Sequence, residues 1–420
     1  MKKLMIVTVL ISIFLLFSVA SFSASAKVTL NFIEVITSLE RTDLLKEIIS
    51  DFEALHPDIH INLISPPYAQ ADQKATLMLN ENQPLDIVEV RDYTVKQFVN
   101  NEKLLNLESY LESWTDSKTL LPITWESART VDNIAYIVPQ EFYIKALFYR
   151  PDVLKKLGIN YVPETMSELF EVCKEITDPS KNQYGFSFRG KAWEFKFSDL
   201  IASSFLDDID ANNIYMKTDG KVYFNDPRAV QGLELYKRLF KETTPKDAIN
   251  WGFNEQVNAF VSGIAPLLIQ DPDTVGLVDK MLGRDKYMVA PIPVGPSGKA
   301  YLDYGFAGLG IPSYSKYKKE AWEFIEYISS PEVNAYFCKN YGPLPIHSVT
   351  YKTDSYFSEG VYLAWAYMME HPEKYVFAKY PIDSSKWPGW PQIHEADMQS
   401  LLLGKVTIEE VVDKWTKYWQ

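Results

Sequence analysis

The sequence predicts an α/β protein with two lobes. Strand and helix patterns alternate from Thr29 to Val90, and this alternation is typical of a parallel sheet covered by helices. The chain of 420 residues is longer than one hydrophobic core usually holds, so two lobes are the default expectation. With 47% hydrophobic and 23% charged residues, the composition is that of an ordinary globular protein.

The first 26 residues have the three regions of a secretion signal. Two lysines precede an apolar run from Leu4 to Ala20, and the segment closes on Ala24-Ser25-Ala26. A membrane anchor is the alternative, but an apolar run of about 17 residues that ends in a small-residue cleavage site favours removal. We therefore expect residues 1–26 to be a signal peptide that is cleaved after about Ala26.

The two cysteines predict neither a lipid anchor nor a disulfide framework. A bacterial lipid anchor needs a cysteine directly after the apolar run, whereas Cys173 and Cys338 lie far along the chain. Each lies in an apolar helical pattern, so we expect two buried thiols. The expected location is the periplasm, with a freely soluble mature protein.

The first half-lobe shows five elements in the order β-α-β-α-β. Pro57 ends the first helix and Pro66-Pro67 ends the second strand. The predicted elements are a strand Val28 to Val35, a helix with apolar positions from Leu44 to Leu55, a strand Ile59 to Leu63, a helix Lys74 to Asn80 and a strand Leu85 to Val90. Ligands gather at the carboxyl ends of parallel strands, so the loops of interest are Glu34 to Glu40, Tyr68, and Arg91 to Tyr93.

The rest of the chain continues the alternation, with capping boxes at Thr165/Glu168 and Thr407/Glu410 marking two helix starts. The predicted strands are Ile134 to Val138, Ala146 to Tyr149, Gly263 to Gln270, Tyr287 to Pro291 and Gly305 to Ile311, the last returning to the first lobe. The predicted helices begin at Thr165 and Ala229 and run over Asn254 to Ser262, Lys319 to Ser329 and from Pro331, and the chain is predicted helical from about residue 346.

Charge and aromatic content narrow the ligand class. Because the signal holds two lysines and no acid, the 42 basic and 55 acidic side chains leave a net charge of -15 after cleavage. Nucleic acid is a poor partner for that field. The 10 Trp, 26 Tyr and 23 Phe are an aromatic excess, and flat rings match the apolar C–H face of a pyranose.

Sequence motifs that would indicate a metal site or a cofactor site are incomplete in this sequence. His394-Glu395 begins like a zinc-protease motif, but Met398 stands in place of the second histidine. Gly308-Leu309-Gly310 lies inside an apolar strand and has Ser313 where a dinucleotide loop has its last glycine, so close packing explains it better. We expect no catalytic residue, no metal ion and no cofactor.

Three clusters combine aromatic rings with polar or acidic side chains in predicted loops or at strand ends. A ring beside side chains that bond hydroxyl groups is the chemistry that a neutral carbohydrate requires. The alternative for each cluster is a solvated loop with a tucked ring. The clusters are Trp193-Glu194-Phe195, Gln270-Asp271-Pro272-Asp273 and Trp387-Pro388-Gly389-Trp390.

Landmarks in order along nearly the whole mature chain resemble the carbohydrate-binding periplasmic receptors of ABC importers, the maltose-binding-protein-like solute-binding family 1. No single landmark is diagnostic, but their order over almost 400 residues is specific. They include LLKEIISDFEALHPDIHINLI, LDIVEV, KALFYRPDVLKKLGI, FVSGIAPLLIQ, VAPIPVGPSGKAYLDYGFAGLGIP and SKYKKEAWEFIEYISSPEVNAYF.

The resemblance implies an α/β type II periplasmic binding protein fold, with two doubly wound lobes joined by a three-crossing hinge. The expected lobe I is residues 27–138 plus 305–345, and the expected lobe II is residues 139–304 plus 346–420. The crossings are expected at Val138 to Tyr143, Tyr301 to Gly305 and Gly342 to Ile346.

The resemblance also implies ligand contacts, which come from strand ends, crossings and a C-terminal aromatic loop. The expected contacts are Glu34, Ser38, Tyr68, Arg91, Asp92, Tyr93, Glu141, Tyr143, Trp193, Glu194, Gln270, Asp271, Asp273, Asp303, Tyr304, Trp387 and Trp390.

The expected function is capture of a sugar, oligosaccharide or polyol by a monomeric receptor, which delivers it to the transmembrane subunits of an ABC importer. One alternative is a secreted carbohydrate-active enzyme that uses two cleft acids. Another is an importer receptor for a charged solute. Among the expected contacts Arg91 is the only cation, which disfavours a phosphate, whereas the acids suit a polyamine.

Overall fold

The computed structural model describes residues 27–191, 195–382 and 384–420, so the predicted signal peptide lies outside the described residues. The strands are β1 Val28–Ile33, β2 Ile59–Ile64, β3 Ile87–Arg91, β4 Val138–Ile144, β5 Ala146–Tyr149, β6 Ile209–Asp210, β7 Asn213–Lys217, β8 Leu267–Gln270, β9 Met288–Ala290, β10 Ala300–Gly310 and β11 Tyr375–Ala378.

Helices surround the strands. They are α1 Leu39–Leu55, α2 Tyr68–Asn80, α3 Val95–Asn100, α4 Glu108–Ser113, α5 Pro122–Ala128, α6 Pro151–Lys156, α7 Met166–Ile176, α8 Phe195–Ser204, α9 Pro227–Thr243, α10 Phe253–Val261, α11 Thr274–Leu282, α12 Lys318–Ile328, α13 Pro331–Tyr341, α14 Thr350–Thr353, α15 Ser355–Ser358, α16 Leu363–Glu370, α17 Trp390–Leu402 and α18 Ile408–Trp419. In the described ranges, no helix is long and apolar enough to cross a membrane.

The first sheet has the order β2-β1-β3-β10, and β4 and β11 also pair with β10. β1 runs parallel to both β2 and β3, as the β-α-β-α-β pattern predicts. β10 returns antiparallel between β3 and β4, which confirms a returning strand in that region. Gly308 allows this close approach, because a Cβ atom there would lie 2.7 Å from the Val138 carbonyl oxygen.

The second sheet has the order β8-β5-β9, with β5 antiparallel to both neighbours. The capping boxes at the starts of α7 and α18 are both present, with Glu168 and Glu410 as the reciprocal partners of Thr165 and Thr407. Both cysteines are buried free thiols, as expected.

The three expected crossings are hydrogen-bonded to one another. β10 pairs with β4 from Tyr304, opposite Ile144. Leu344 exchanges both backbone hydrogen bonds with Phe142, at 3.0 and 3.3 Å. Because these segments support each other side by side, they suit a hinge; the lobe limits given above stay a prediction.

Three predicted elements differ from the structure. The strand predicted at Gly263 to Gln270 begins only at Leu267, because the chain turns at Gly263, whose φ is 79°. The strand predicted at Ile134 to Val138 is wrong before its last residue, because Ala135 and Tyr136 donate their backbone N–H groups to Glu108 and to the Ala128 carbonyl rather than to a ladder. The C-terminal region, predicted as helical, also contains β11, which pairs in parallel with residues 300–303 at the start of β10.

Candidate ligand-binding site

A cleft of about 1020 Å³ takes its walls from both sheets and from the crossings between them. Residues directly after β1 and β3 line one side of the cleft, and residues at and after the end of β8 line the other side. β10 contributes Tyr304 to Phe306. Parallel strands present their carboxyl ends, and the loops behind them, to such crevices. A volume of this size is at the upper end of ligand pockets, which span roughly 300–1,000 Å³.

The cleft brings together most of the contacts expected from the sequence. These lining residues are Ser38, Tyr68, Arg91, Asp92, Tyr93, Tyr143, Gln270, Asp271, Asp273, Tyr304 and Trp387. Trp193 and Glu194 lie outside the described residues. The assignment of the lining residues as ligand contacts stays a prediction.

Arg91 organises one corner of the cleft. Its Nη2 donates to the Val35 carbonyl at 2.6 Å and its Nη1 donates to the Tyr68 hydroxyl at 3.1 Å. The guanidinium carbon lies 4.8 Å from the centre of the Tyr68 ring, and Nε lies 3.3 Å from a carboxylate oxygen of Asp72. Tyr93 donates its hydroxyl to the same carboxylate at 2.9 Å. Two half-exposed rings are thus held at the rim by a cation that is already paired.

Two acids of the cleft, Asp92 and Asp273, have pKa values raised by burial. Burial raises the pKa of Asp273 to about 7, and the neighbouring Asp271 adds to the rise. Burial likewise raises the pKa of Asp92 to about 6, although Lys196 opposes the shift. A protonated carboxyl donates as well as accepts a hydrogen bond, which suits recognition of hydroxyl groups.

Asp303 lies below the cleft rather than on its surface. It is 6% exposed and pairs with Lys145 at 3.4 Å and Lys196 at 2.6 Å. Burial disfavours its charge, but the two lysines hold its pKa below its usual value. Asp303 therefore positions two lining cations, and its expected ligand contact is corrected to a supporting role.

Glu34 and Glu141 are also corrected, because Arg41 holds both away from the cleft surface. Arg41 donates to Glu34 at 3.1 Å and to Glu141 at 3.0 Å, and it is paired with Glu89 as well. All four side chains are at most 2% exposed. Burial raises the pKa of Glu141 to about 7, with Arg41 opposing and Glu89 adding to the rise.

This Arg41 cluster still reaches the cleft through its neighbours. Glu89 accepts the backbone N–H groups of Val35 and Ile36, at 2.6 and 2.9 Å, and so shapes the loop after β1. Glu141 accepts the hydroxyl of Tyr143, a lining residue, at 2.9 Å. The cluster thus supports two parts of the cleft wall from behind.

Trp390 belongs to the core and not to the cleft, which corrects the expectation for the C-terminal loop. It is fully buried, and its indole N–H donates to the Tyr215 hydroxyl at 2.6 Å. Trp387 lies three residues earlier in a short 3₁₀ turn and lines the cleft, 5.2 Å from the ring of Tyr380. Trp390 is the first residue of α17, and its ring points into the core, where it packs against the rings of Trp415 and Phe224.

The sequence reasoning missed most of the cations and several rings of the cleft. No local pattern marks these residues, because they lie in eight separate parts of the chain and meet only in the fold. The missed lining residues include Lys96, Lys145, Arg189, Lys196, Lys379, Asn212, Gln256, Phe197, Phe306, Tyr341 and Tyr380. Within the described ranges, no group of three or more His, Cys, Asp or Glu side chains is placed to hold a metal ion.

Comparison with known proteins decides the family. The profile described as bacterial extracellular solute-binding protein matches residues 38–335. The chain belongs to this family. Its members are solute-binding receptors rather than enzymes.

Individual relatives agree in sequence and in fold. A putative binding protein of Brucella abortus is 26% identical over 366 residues, covering 86% of this chain and 85% of the relative. A multiple sugar-binding protein of Streptococcus mutans is 23% identical over 79% of this chain and 78% of its own. The structure of a maltose-bound MalE3 of T. maritima matches with a TM-score of 0.75 and 22% identity, covering 94% of this chain and all of that one. The periplasmic binding protein fold is thereby confirmed.

Proposed function

We propose that this solute-binding protein captures a sugar, oligosaccharide or polyol in the cleft and delivers it to the transmembrane subunits of an ABC importer. The observation that carries the proposal is the cleft itself, which combines aromatic rings with groups that bond hydroxyls. Tyr304 and Trp387 line it with aromatic rings, while Asp92 and Asp273 line it with carboxyl groups that can bond hydroxyls. The sugar-binding relative from S. mutans is consistent with this chemistry.

The proposed cycle depends on two lobes that close on one ligand. Residues of the cleft come from segments on both sides of the hydrogen-bonded crossings, so a ligand that contacts both sides favours the closed state. We propose that the protein acts as a monomer in the periplasm after its signal peptide is removed. The transmembrane subunits of the importer would recognise the closed arrangement of the two lobes.

Calorimetric titration of the mature chain tests the proposal. Panels of neutral and acidic sugars, oligosaccharides, polyols and amines would be titrated, and product formation would be followed in parallel. We expect saturable one-to-one binding of at least one saccharide or polyol without turnover. Hydrolysis of a glycoside, or binding restricted to amines, contradicts the proposal.

A polyamine receptor, the alternative that the expected acids allowed, is disfavoured by the cations of the cleft. Of the residues that the structure describes, six cationic side chains line the cleft, against three carboxylates. Two of those carboxylates, Asp92 and Asp273, have raised pKa values and so carry reduced negative charge near neutral pH. A polycation would meet net repulsion there.

A further inference from the structure

The described residues that line the cleft include more cations than acids, although the protein as a whole is acidic. The whole chain has a formal charge of -13, yet the cleft is lined by Arg91, Lys96, Lys145, Arg189, Lys196 and Lys379. Random placement would give a cleft with more acids than cations in such a chain. A concave site lined by cations attracts anions and raises their local concentration.

Three of these six cations form ion pairs within the protein. Arg91 pairs with Asp72, and Lys145 and Lys196 share Asp303. These ion pairs hold the wall together and reduce the charge that a ligand would meet. Arg189 and Lys379 are two further cations of the lining, and their environment differs from that of the paired cations.

Arg189 and Lys379 present unused donors to the cleft. Among the described residues, neither has a carboxylate oxygen within 4 Å, and the single side-chain hydrogen bond of the two is from Arg189 Nε to the Lys191 carbonyl at 3.1 Å. The outer nitrogens of the Arg189 fork thus lack a protein partner in the described ranges. Burial lowers the pKa of Arg189, and Asp271 and Asp273 oppose this shift. The positive charge of Arg189 is therefore partly desolvated, and an anion bound beside it would stabilise that charge.

An anion is the partner that these donors fit. A guanidinium with two free nitrogens binds a carboxylate or a phosphate in a bidentate manner, and a lysine supplies a second, mobile positive charge. Lys379 stands at the end of β11, where its backbone N–H donates to the Ala211 carbonyl. Asn212, which follows Ala211 in the turn between β6 and β7, also lines the cleft and provides an amide for a neighbouring hydroxyl.

We propose that the ligand is an acidic saccharide, whose anionic group is bound by Arg189 and Lys379 while its ring stacks on the aromatic wall. This inference rests on the proposed function and specifies its ligand class. The anionic group is a carboxylate, as in a uronic acid, or a phosphate ester, because the same donors serve both.

Matched pairs of acidic and neutral sugars test the inference. Galacturonic acid with galactose, glucuronic acid with glucose, their short oligomers, and glucose 6-phosphate would be titrated calorimetrically into the mature chain. We expect the acidic member of at least one pair to bind at least about tenfold more tightly, because hydrogen bonds to charged groups exceed neutral ones by that order. Its affinity should fall between low and high salt more than that of the neutral member. Comparing the uronic acids with glucose 6-phosphate shows whether the bound anionic group is a carboxylate or a phosphate ester.

Charge variants assign the effect to the two side chains. Arg189→Gln and Lys379→Gln should each reduce the ratio of acidic to neutral affinity by about tenfold or more, whereas Arg189→Lys should retain part of it. Lys155→Gln removes an exposed charge from α6 and should leave the ratio unchanged. Thermal melting of each variant checks that the fold is intact.

The outcomes separate this inference from the proposed function. Neutral sugars that bind as tightly as their acidic partners, or an acid preference that survives Arg189→Gln, would overturn the acidic ligand but leave a sugar receptor in place. A protein that binds no member of either series contradicts both.

Discussion

The buried carboxylate of Glu141 is expected to destabilise the fold as the pH rises, and Glu141→Gln should remove that effect. Three carboxylates share the single guanidinium of Arg41, so the cluster holds more negative charge than the arginine balances. Burial raises the pKa of Glu141 to about 7. Glutamine keeps the shape, can still accept from Arg41, and can donate to the Tyr143 hydroxyl, so the substitution removes the charge and little else.

The size and sign of the effect follow from the pKa. In the folded state Glu141 keeps its proton up to about pH 7, whereas in the unfolded chain it releases the proton near 4.5. The folded state therefore binds more protons in this window, and stability falls as the pH rises through it. A rise from 4.5 to about 7 corresponds to about 3 kcal/mol, because each pH unit is worth about 1.4 kcal/mol. Relative to the unmodified protein, the variant should gain about that amount between pH 5 and pH 8.

Urea unfolding followed by tryptophan fluorescence at pH 5, 6, 7 and 8 measures the difference. Other titrating groups are common to both proteins, so their contributions largely cancel in the comparison. Glu112→Gln, on the exposed face of α4, is the matched control and should show no such trend. If Glu141→Gln instead loses stability at pH 8 relative to pH 5, Arg41 holds this carboxylate ionised and the reasoning is refuted.

Four further substitutions test the core, the cleft and the crossings. Arg41→Met leaves its carboxylates without a cation and should cost about 3–5 kcal/mol in urea unfolding at pH 7; an unchanged midpoint would contradict a structural role for the cluster. Trp387→Ala should weaken binding of the cognate sugar by about 1–3 kcal/mol in calorimetry without changing the melting temperature, whereas Trp390→Ala should cost about 3–5 kcal/mol of stability. The reverse result would exchange their roles. Gly308→Ala places a Cβ atom 2.7 Å from the Val138 carbonyl oxygen and should destabilise by about 1–3 kcal/mol; a neutral effect would show that the strands separate easily.

The elements that were predictable are those specified by local patterns. Helical spacing of apolar residues defines α1, and both capping boxes mark helix starts where the structure has them. β11 escaped prediction because its four residues become a strand only through parallel pairing with the start of β10, about 75 residues away in sequence. Pairing partners that are distant in sequence leave no local signal in a short segment.

The cleft residues also divide into those that a local pattern predicts and those that only the tertiary fold brings together. Residues directly after β1 and β3 were predictable, because the carboxyl ends of parallel strands meet at a crevice. Residues after β8 were predictable as the polar end of an apolar strand, although β8 pairs antiparallel with β5. Lys145, Arg189, Lys196 and Lys379 were not predictable, since each lies in a different local context and only the tertiary fold assembles them. The predicted contacts are therefore mostly acidic, while the described residues that line the cleft include more cations than carboxylates.

Glu34 and Glu141 show why residue type at a strand end does not settle the role of a side chain. Both acids were predicted as ligand contacts, but Arg41 in α1 pairs with both, and both side chains are fully buried. Their carboxylates bond within the protein, to Arg41 and to the hydroxyls of Ser65 and Tyr143, instead of lining the cleft. The same arginine donates to the Ile36 carbonyl and so stabilises the loop after β1. Among the described residues that do line the cleft, Arg189 and Lys379 have no carboxylate oxygen within 4 Å, and for this reason the proposed anionic group is assigned to them.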